Sequence, residues 1–431
     1  MEATTHSNHT IHEIDGRALM SEYRPLPYLG SKWRLLDAIE EAVATVSQPH
    51  RPAVCDPFAG SGVVSRRLSD SAFVVSGDVQ EYSRVLTKSL LRQSSINADE
   101  LVGRTGAVLK PEHEEWLSAL DHWERSVFHS GDWLEAIARQ VERGPLELAS
   151  SRSGDWSDGE LATLVQNRPE GQWTIFRNYG GVFFSFRQAA EIDLISEGAR
   201  SLPPDDRDSV LAALLGSATD VVNSVGSHFA QPVRPRAKNG ALKTASLARV
   251  RETRTKNIVE IFERRMQELG SLRPSIHGGE VHKASVDETL SGMVPEVGVV
   301  YADPPYTRDH YSRFYHVLET IAVGDEPGIS LVGKKEAREP SRGLYREERH
   351  QSPFSVVSQA PTAFENLFSN VSGHGASLVL SYSPLPANDK PRERVMSLES
   401  ILDLAQIFFN KIEVRTVKNV AHSKFNHASL N

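Results

Sequence analysis

The chain has 431 residues, 39% hydrophobic and 24% charged, with a net charge of −8. That length suits about three domains, or one large α/β domain carrying an insertion, and core size is not limiting. No apolar run approaches the roughly 20 residues of a bilayer span, and the amino terminus lacks a charged-then-apolar secretory pattern, so a cytoplasmic protein without membrane association is expected. The one cysteine, Cys55, cannot close an internal disulfide and sits in an apolar run, as a packing residue would. An acidic balance does not by itself suggest nucleic acid, so a DNA partner would require a locally basic surface.

Residues 1 to about 20 are polar. They hold His6, His9 and His12 without a cysteine or carboxylate cluster beside them, which predicts a disordered, mobile tail rather than a metal site. Pro27-Tyr28-Leu29-Gly30-Ser31-Lys32 then runs into a helical pattern through Ile39, Val43 and Val46. A small-residue turn opening a helix exposes N–H groups to an anionic group, and Lys32 adds positive charge. Next, Ala53-Val54-Cys55-Asp56-Pro57-Phe58-Ala59-Gly60-Ser61-Gly62 reads as strand, glycine turn and helix. Gly60 and Gly62 allow close backbone approach to a ligand, while the absent Gly-Lys-Ser/Thr excludes a phosphate-cradling P-loop. A second apolar run, Ala72-Phe73-Val74-Val75, ends in Gly77-Asp78, where a ribose-binding acid sits in doubly wound folds.

The stretch from 85 to about 280 is far longer than an ordinary αβ connection. Trp116, Trp123, Trp133, Trp156 and Trp173 are scattered through it as expected core residues. Ser185 is expected to cap one helix, and Asp205 and Asp206 to open another with Leu211, Leu214, Leu215, Ala218 and Val222 on one face. Residues 231–256 carry Arg234, Arg236, Lys238, Lys243, Arg249, Arg251, Arg254 and Lys256 against the single acid Glu252. Such a run predicts phosphate contacts, and Arg187 and Gln188 are candidates to read bases.

Val297-Gly298-Val299-Val300 leads into Tyr301-Ala302-Asp303-Pro304-Pro305-Tyr306. Proline fixes φ and gives no N–H, so the chain must leave the sheet there with a rigid acidic tip. A carboxylate, a fixed carbonyl and an aromatic face suit a planar base with an exocyclic amine: Asp303 and the Pro304 carbonyl accept both amine hydrogens while Tyr306 stacks. Arg308, His310, Tyr311 and Arg313 follow closely enough to reach a substrate. Lys334, Lys335, Arg338, Arg342, Arg346 and Arg349 form a second basic loop. Leu378 to Ser383 as strand, Ser397 to Phe409 as helix and Ile412 to Val417 as strand complete an alternation that argues for one doubly wound sheet interrupted by an insertion.

"PYLGSK", "DPFAGSG", "SGDVQEYS" and "DPPY", in that order, resemble the Dam-type (alpha-group) adenine-specific DNA methyltransferases, which use S-adenosyl-L-methionine. The resemblance implies a Rossmann-like class I methyltransferase fold: an α/β doubly wound sheet over 21–90 and 275–431, with a mainly helical insertion domain over 91–274 for target recognition. It implies that Tyr28, Gly30 and Lys32 hold the methionine part of the cofactor, that Asp56, Phe58, Gly60 and Gly62 form its turn, and that Asp78 binds the ribose hydroxyls. Asp303, Pro304, Pro305 and Tyr306 would hold the target adenine. The stretch Val281 to Asp287 is similar to the family's third cofactor strand, with Ser285 in the place of the usual acid and Asp287 two residues on. Arg234, Arg236, Lys238, Lys243, Arg251, Arg254, Arg308 and Arg313 would contact double-stranded DNA. The expected function is methylation of the adenine 6-amino group without a metal, alongside a cognate restriction nuclease or phage-defence proteins. The alternatives are a ribosomal RNA adenine methyltransferase and a catalytically silent DNA-binding relative.

Overall fold

The computed structural model describes residues 10–15, 23–92, 94, 96–144, 159–226, 228–308, 310–334, 338–383 and 394–418. His6, His9, Trp156, Asp309 and Lys335 lie outside the described residues. The strands are Thr10–Asp15 (β1), Ala53–Asp56 (β2), Val74–Asp78 (β3), Gly279–Lys283 (β4), Val297–Ala302 (β5), Leu331–Val332 (β6), Glu339–Pro340 (β7), Ser377–Leu380 (β8) and Glu413–Lys418 (β9). Five of them form a parallel sheet in the order β4-β3-β2-β5-β8. The order reverses between β2 and β5, and such a reversal opens a crevice outside the carboxyl ends of the strands.

Alternation along the strands explains why the sheet is covered on both sides. Ala53, Cys55, Val75, Val300 and Ala302 pack with Phe364, Leu367 and Phe368 of the helix Ala360–His374. Val54, Val74, Val299 and Tyr301 pack with Leu36, Ile39 and Val43 of Leu36–Val46 (α1) and with Val64 and Leu68 of Val63–Leu68 (α2). Successive side chains point to opposite faces, so an unbroken apolar strand is a strand buried twice.

The tail expected over residues 1 to about 20 is not structureless throughout: β1 runs parallel to β9 in a separate two-stranded sheet. The predicted last strand therefore exists but lies outside the doubly wound sheet. No helix among the described residues is long and apolar enough to cross a membrane.

Between β3 and β4 the described chain is predominantly helical, as expected, but its core is not its own. Leu211, Leu214 and Leu215 of the helix Pro204–Asp220 share one cluster with Tyr82, Val85, Leu86 and Leu90 of Glu81–Leu91 (α3) and with Val317, Leu318 and Ile321 of His316–Val323. Pro204–Asp220 and its neighbour Phe186–Arg200 are buried around most of their circumference, which places them inside the protein. The segment thus shares its interior with α3 and with His316–Val323. Trp116, Trp123 and Trp173 are buried in that cluster.

Buried carboxylates join the pieces by capping helices from a distance. Glu319 accepts the backbone N–H groups of Glu81 (3.0 Å) and Tyr82 (3.1 Å) at the start of α3. Asp193 does the same for Ile175 (3.0 Å) and Phe176 (2.8 Å), and Glu124 for Phe186 (2.6 Å). First-turn amides have no partner within their own helix and carry partial positive charge, so an acid there fills a need.

Candidate active site

Asp56 ends β2 and is buried, with one carboxylate oxygen accepting the Phe58 N–H (3.3 Å) and the other the Ser65 hydroxyl (2.6 Å). Burial pushes its pKa up to about 7 against those bonds. The Asp56 carboxyl thus braces the glycine turn from inside. Gly60 and Gly62 both have positive φ, +55° and +78°, where a side chain would strain. A Cβ on Gly60 would stand 3.2 Å from the Tyr28 ring, so the glycine turn lies directly against the first motif. Asp78, at the end of β3, accepts the Gly60 N–H (3.0 Å) and the Gln80 N–H (2.9 Å), which ties the second acid to the turn. Phe58 is half-buried with its ring edge-on to Phe354 at 5.2 Å.

Tyr28 is sandwiched into an aromatic stack. Its ring lies 4.9 Å from Tyr315 at an interplanar angle of 5°, and 6.0 Å from Tyr311 at 28°. The Leu29 N–H donates to the Tyr315 hydroxyl (2.6 Å). Gly30 turns the chain at φ +77°, and its carbonyl accepts from Lys32 Nζ (3.0 Å). Lys32, itself buried, forms an ion pair with Asp303 Oδ2. The first motif thus touches the glycine turn with its tyrosine and the acidic tip with its lysine.

Asp303, Pro304, Pro305 and Tyr306 follow β5 directly. The other oxygen of Asp303, Oδ1, is buried and has no hydrogen-bond partner among the described residues. A lone acceptor of this kind costs free energy unless something arrives to fill it. Burial pushes the Asp303 pKa up, while Lys32 pulls it down by charge and hydrogen bonding. Lys32→Gln should therefore shift the acid limb of the kcat/KM profile to higher pH, because without the cation the carboxylate protonates sooner as pH falls. A pH profile with an unmoved acid limb would contradict this role for Lys32.

Sequence reasoning missed the groups around Tyr306. The Arg394 guanidinium lies 5.0 Å from its ring centroid, and Tyr382 meets it edge-on at 5.6 Å. Both come from segments roughly 75 to 90 positions away, with no local signal to announce them. Ser285 spends its hydroxyl in a capping box with Glu288, and Asp287 is exposed in the first turn of that helix, past the end of β4.

The basic residues divide. Arg234, Lys238, Lys243, Arg308 and Arg313 are exposed. Arg236 is held by Glu135 (2.6 Å) and Glu142 (2.8 Å), and Arg251 lies 4.0 Å from the centroid of the Trp133 ring. Arg254 is buried, donating to the Gly181 carbonyl (2.5 Å) and the Gln140 side chain (2.6 Å), so it has no face for a phosphate. Gln188 is likewise buried, bonded to the Thr253 (2.9 Å) and Lys256 (3.0 Å) carbonyls. Arg187 is paired with Asp121 and Glu191, and neither it nor Gln188 is presented to a base.

A parallel sheet that reverses between two acid-tipped strands, one beside a glycine turn and one beside a proline-locked carboxylate, defines a Rossmann-like group-transfer enzyme. Residues 28–120 and 236–375 match the family described as D12 class N6 adenine-specific DNA methyltransferase, and the chain belongs to that family. It is an adenine-specific DNA methyltransferase. It is similar to the Type II methyltransferase M.NlaIII of Neisseria lactamica, 22% identical over 357 residues that cover 81% of this chain and 84% of the relative. Type II methyltransferase M.CviAII of Paramecium bursaria Chlorella virus 1 is 23% identical over 361 residues, 83% of this chain and 82% of the relative. Modification methylase LlaI of Lactococcus lactis subsp. lactis is 23% identical over 395 residues, 88% of this chain but 48% of the relative. No solved structure matches the chain.

Proposed function

We propose that this enzyme takes its methyl group from S-adenosyl-L-methionine and places it on the 6-amino group of a flipped adenine in double-stranded DNA, as the cytoplasmic modification partner of a restriction nuclease. The unpartnered Asp303 Oδ1 at the reversal of the sheet carries this reading, since it is a buried acceptor aimed at nothing the protein supplies. The donor fits the residues present: Gly60 turns at positive φ with its N–H on Asp78, and Tyr28 packs so closely against it that only a glycine fits there. Tyr28, Gly30, Lys32, Phe58, Gly60, Gly62 and Asp78 would hold it, with Asp287 at the margin. When bound, it supplies an electrophilic sulfonium methyl.

The adenine amine is a poor nucleophile because its lone pair is delocalised into the ring. Asp303 and the Pro304 carbonyl accept its two hydrogens and favour the pyramidal, more nucleophilic form. Two prolines keep those acceptors fixed, so much of the rate comes from alignment. An amine paired inside a duplex is out of reach, so the base must turn out of the stack, and Tyr306 replaces its neighbours. Exposed Arg234, Lys238, Lys243, Arg308 and Arg313 supply phosphate contacts. The names of the relatives, Type II methyltransferase and modification methylase, support the restriction-modification setting.

Sequencing that detects modified adenines in DNA from an expressing host should find them at one short sequence. DNA left unmodified while ribosomal RNA gains label from labelled cofactor would replace this reading with the RNA alternative.

A further inference from the structure

The loop that follows β7 folds back over the catalytic loop, and Tyr345 is its anchor. The Tyr345 hydroxyl donates to the Ala230 carbonyl (2.8 Å), and its ring meets the buried His316 edge-on at 5.3 Å. Gln351, further along, reaches His310 beside the acidic tip (3.4 Å). Two guanidinium groups converge on the fixed ring: Arg313, on the short helix Tyr311–Phe314, lies 5.7 Å from its centroid, and Arg349 lies 4.7 Å from it.

These two cations are held together with no ion-paired carboxylate among the described residues. Among the described residues neither has a carboxylate within ion-pair distance, and Arg349 Nε spends one donor on the Arg346 carbonyl (3.0 Å). Asp325 is already gripped by Arg346 (2.6 Å), and the Glu347 carboxylate lies against Gly328. The repulsion shows in Arg349, whose pKa is pulled down first by burial and then by Arg313. Two like charges on one aromatic platform are unfavourable alone and favourable around an anion, and guanidinium forks match a phosphate's oxygens. Arg313 lies on the short helix whose first residue, Tyr311, stacks on Tyr28 of the site at 6.0 Å, so such an anion would lie at the edge of that site.

We infer that Arg313 and Arg349, mounted on Tyr345, form a clamp for one phosphodiester of the target strand next to the flipped adenine. This rests on the DNA-modifying reading above and deepens it. The clamp holds the backbone that must swivel when the base leaves the stack, at a point fixed to the catalytic loop through His310 and the Tyr311–Phe314 helix.

The test is the salt dependence of binding to a duplex oligonucleotide carrying the modified site, followed by fluorescence anisotropy between about 50 and 200 mM salt. Neutralising one phosphate contributes about 0.9 to the slope of log K against log salt, so the double variant Arg313→Gln, Arg349→Gln should lose about 1 from the slope. KM for DNA should rise while affinity for the cofactor stays as in the parent. Tyr345→Phe should keep the slope, since the platform ring remains, whereas Tyr345→Leu should lower it. A double variant with the parent's melting temperature and an unchanged slope overturns the clamp. Should the double variant fail to fold, Arg313→Gln alone, at an exposed side chain, decides the matter by the same slope. A parent enzyme that shows no salt-dependent DNA binding would instead overturn the DNA reading itself.

Discussion

Asp303→Ala should reduce methyl transfer by ~10³-fold, about 4 kcal/mol of barrier, while the protein still folds and still binds its cofactor. Asp303 caps no helix; its described side-chain partner is Lys32, which keeps the Gly30 carbonyl as an acceptor (3.0 Å) in the variant, and its second oxygen has no partner among the described residues. The turn against which the cofactor would rest is assembled by other groups, chiefly Asp56, Ser65, Asp78 and Tyr28. Loss of the carboxylate thus falls on the chemical step. Single-turnover transfer of label, measured beside equilibrium cofactor binding, separates the two, and parental turnover in the variant would refute the assignment.

Arg254→Leu should cost about 3–5 kcal/mol of stability, the largest structural effect expected of any basic residue in 231–256. The buried guanidinium lies in the field of buried Glu124, which caps the helix Phe186–Arg200. Burial raises the Glu124 pKa to about 7, and Arg254 restrains that rise. A carboxyl whose folded pKa lies above its unfolded one stabilises the fold at low pH and loses that contribution as pH climbs through the folded value. Without Arg254 the folded pKa rises further, so the deficit should be larger at pH 8 than at pH 6. Melting curves at the two pH values test this, and an equal loss at both would show that Glu124 is not the group left stranded.

The elements that hold the site were legible because their signals are local. Asp303 to Tyr306 and Gly60 to Gly62 impose turns through the chemistry of proline and glycine wherever they occur. The strands β2, β3 and β5 show as apolar runs because both faces are covered. What escaped is whatever depends on a distant partner. A run of arginines looks the same whether water or Glu124 and Gln140 surround it, so Arg254 passed for a surface charge although its neighbours stand more than 100 residues away. Asp56 occupies the position expected of it, and its bonds to Ser65 and Phe58 are what the sequence does not show. Arg394 and Tyr382 reach Tyr306 only because β8 lies beside β5.

The continuity between α3, the helix Pro204–Asp220 and the helix His316–Val323 limits how freely the segment between them can be exchanged. A segment with its own interior can be exchanged between relatives like a cartridge, since its removal exposes little. Here a transplanted segment would tear open the same interior that seats the catalytic loop. Chimeras joined near positions 91 and 274 are therefore expected to be insoluble.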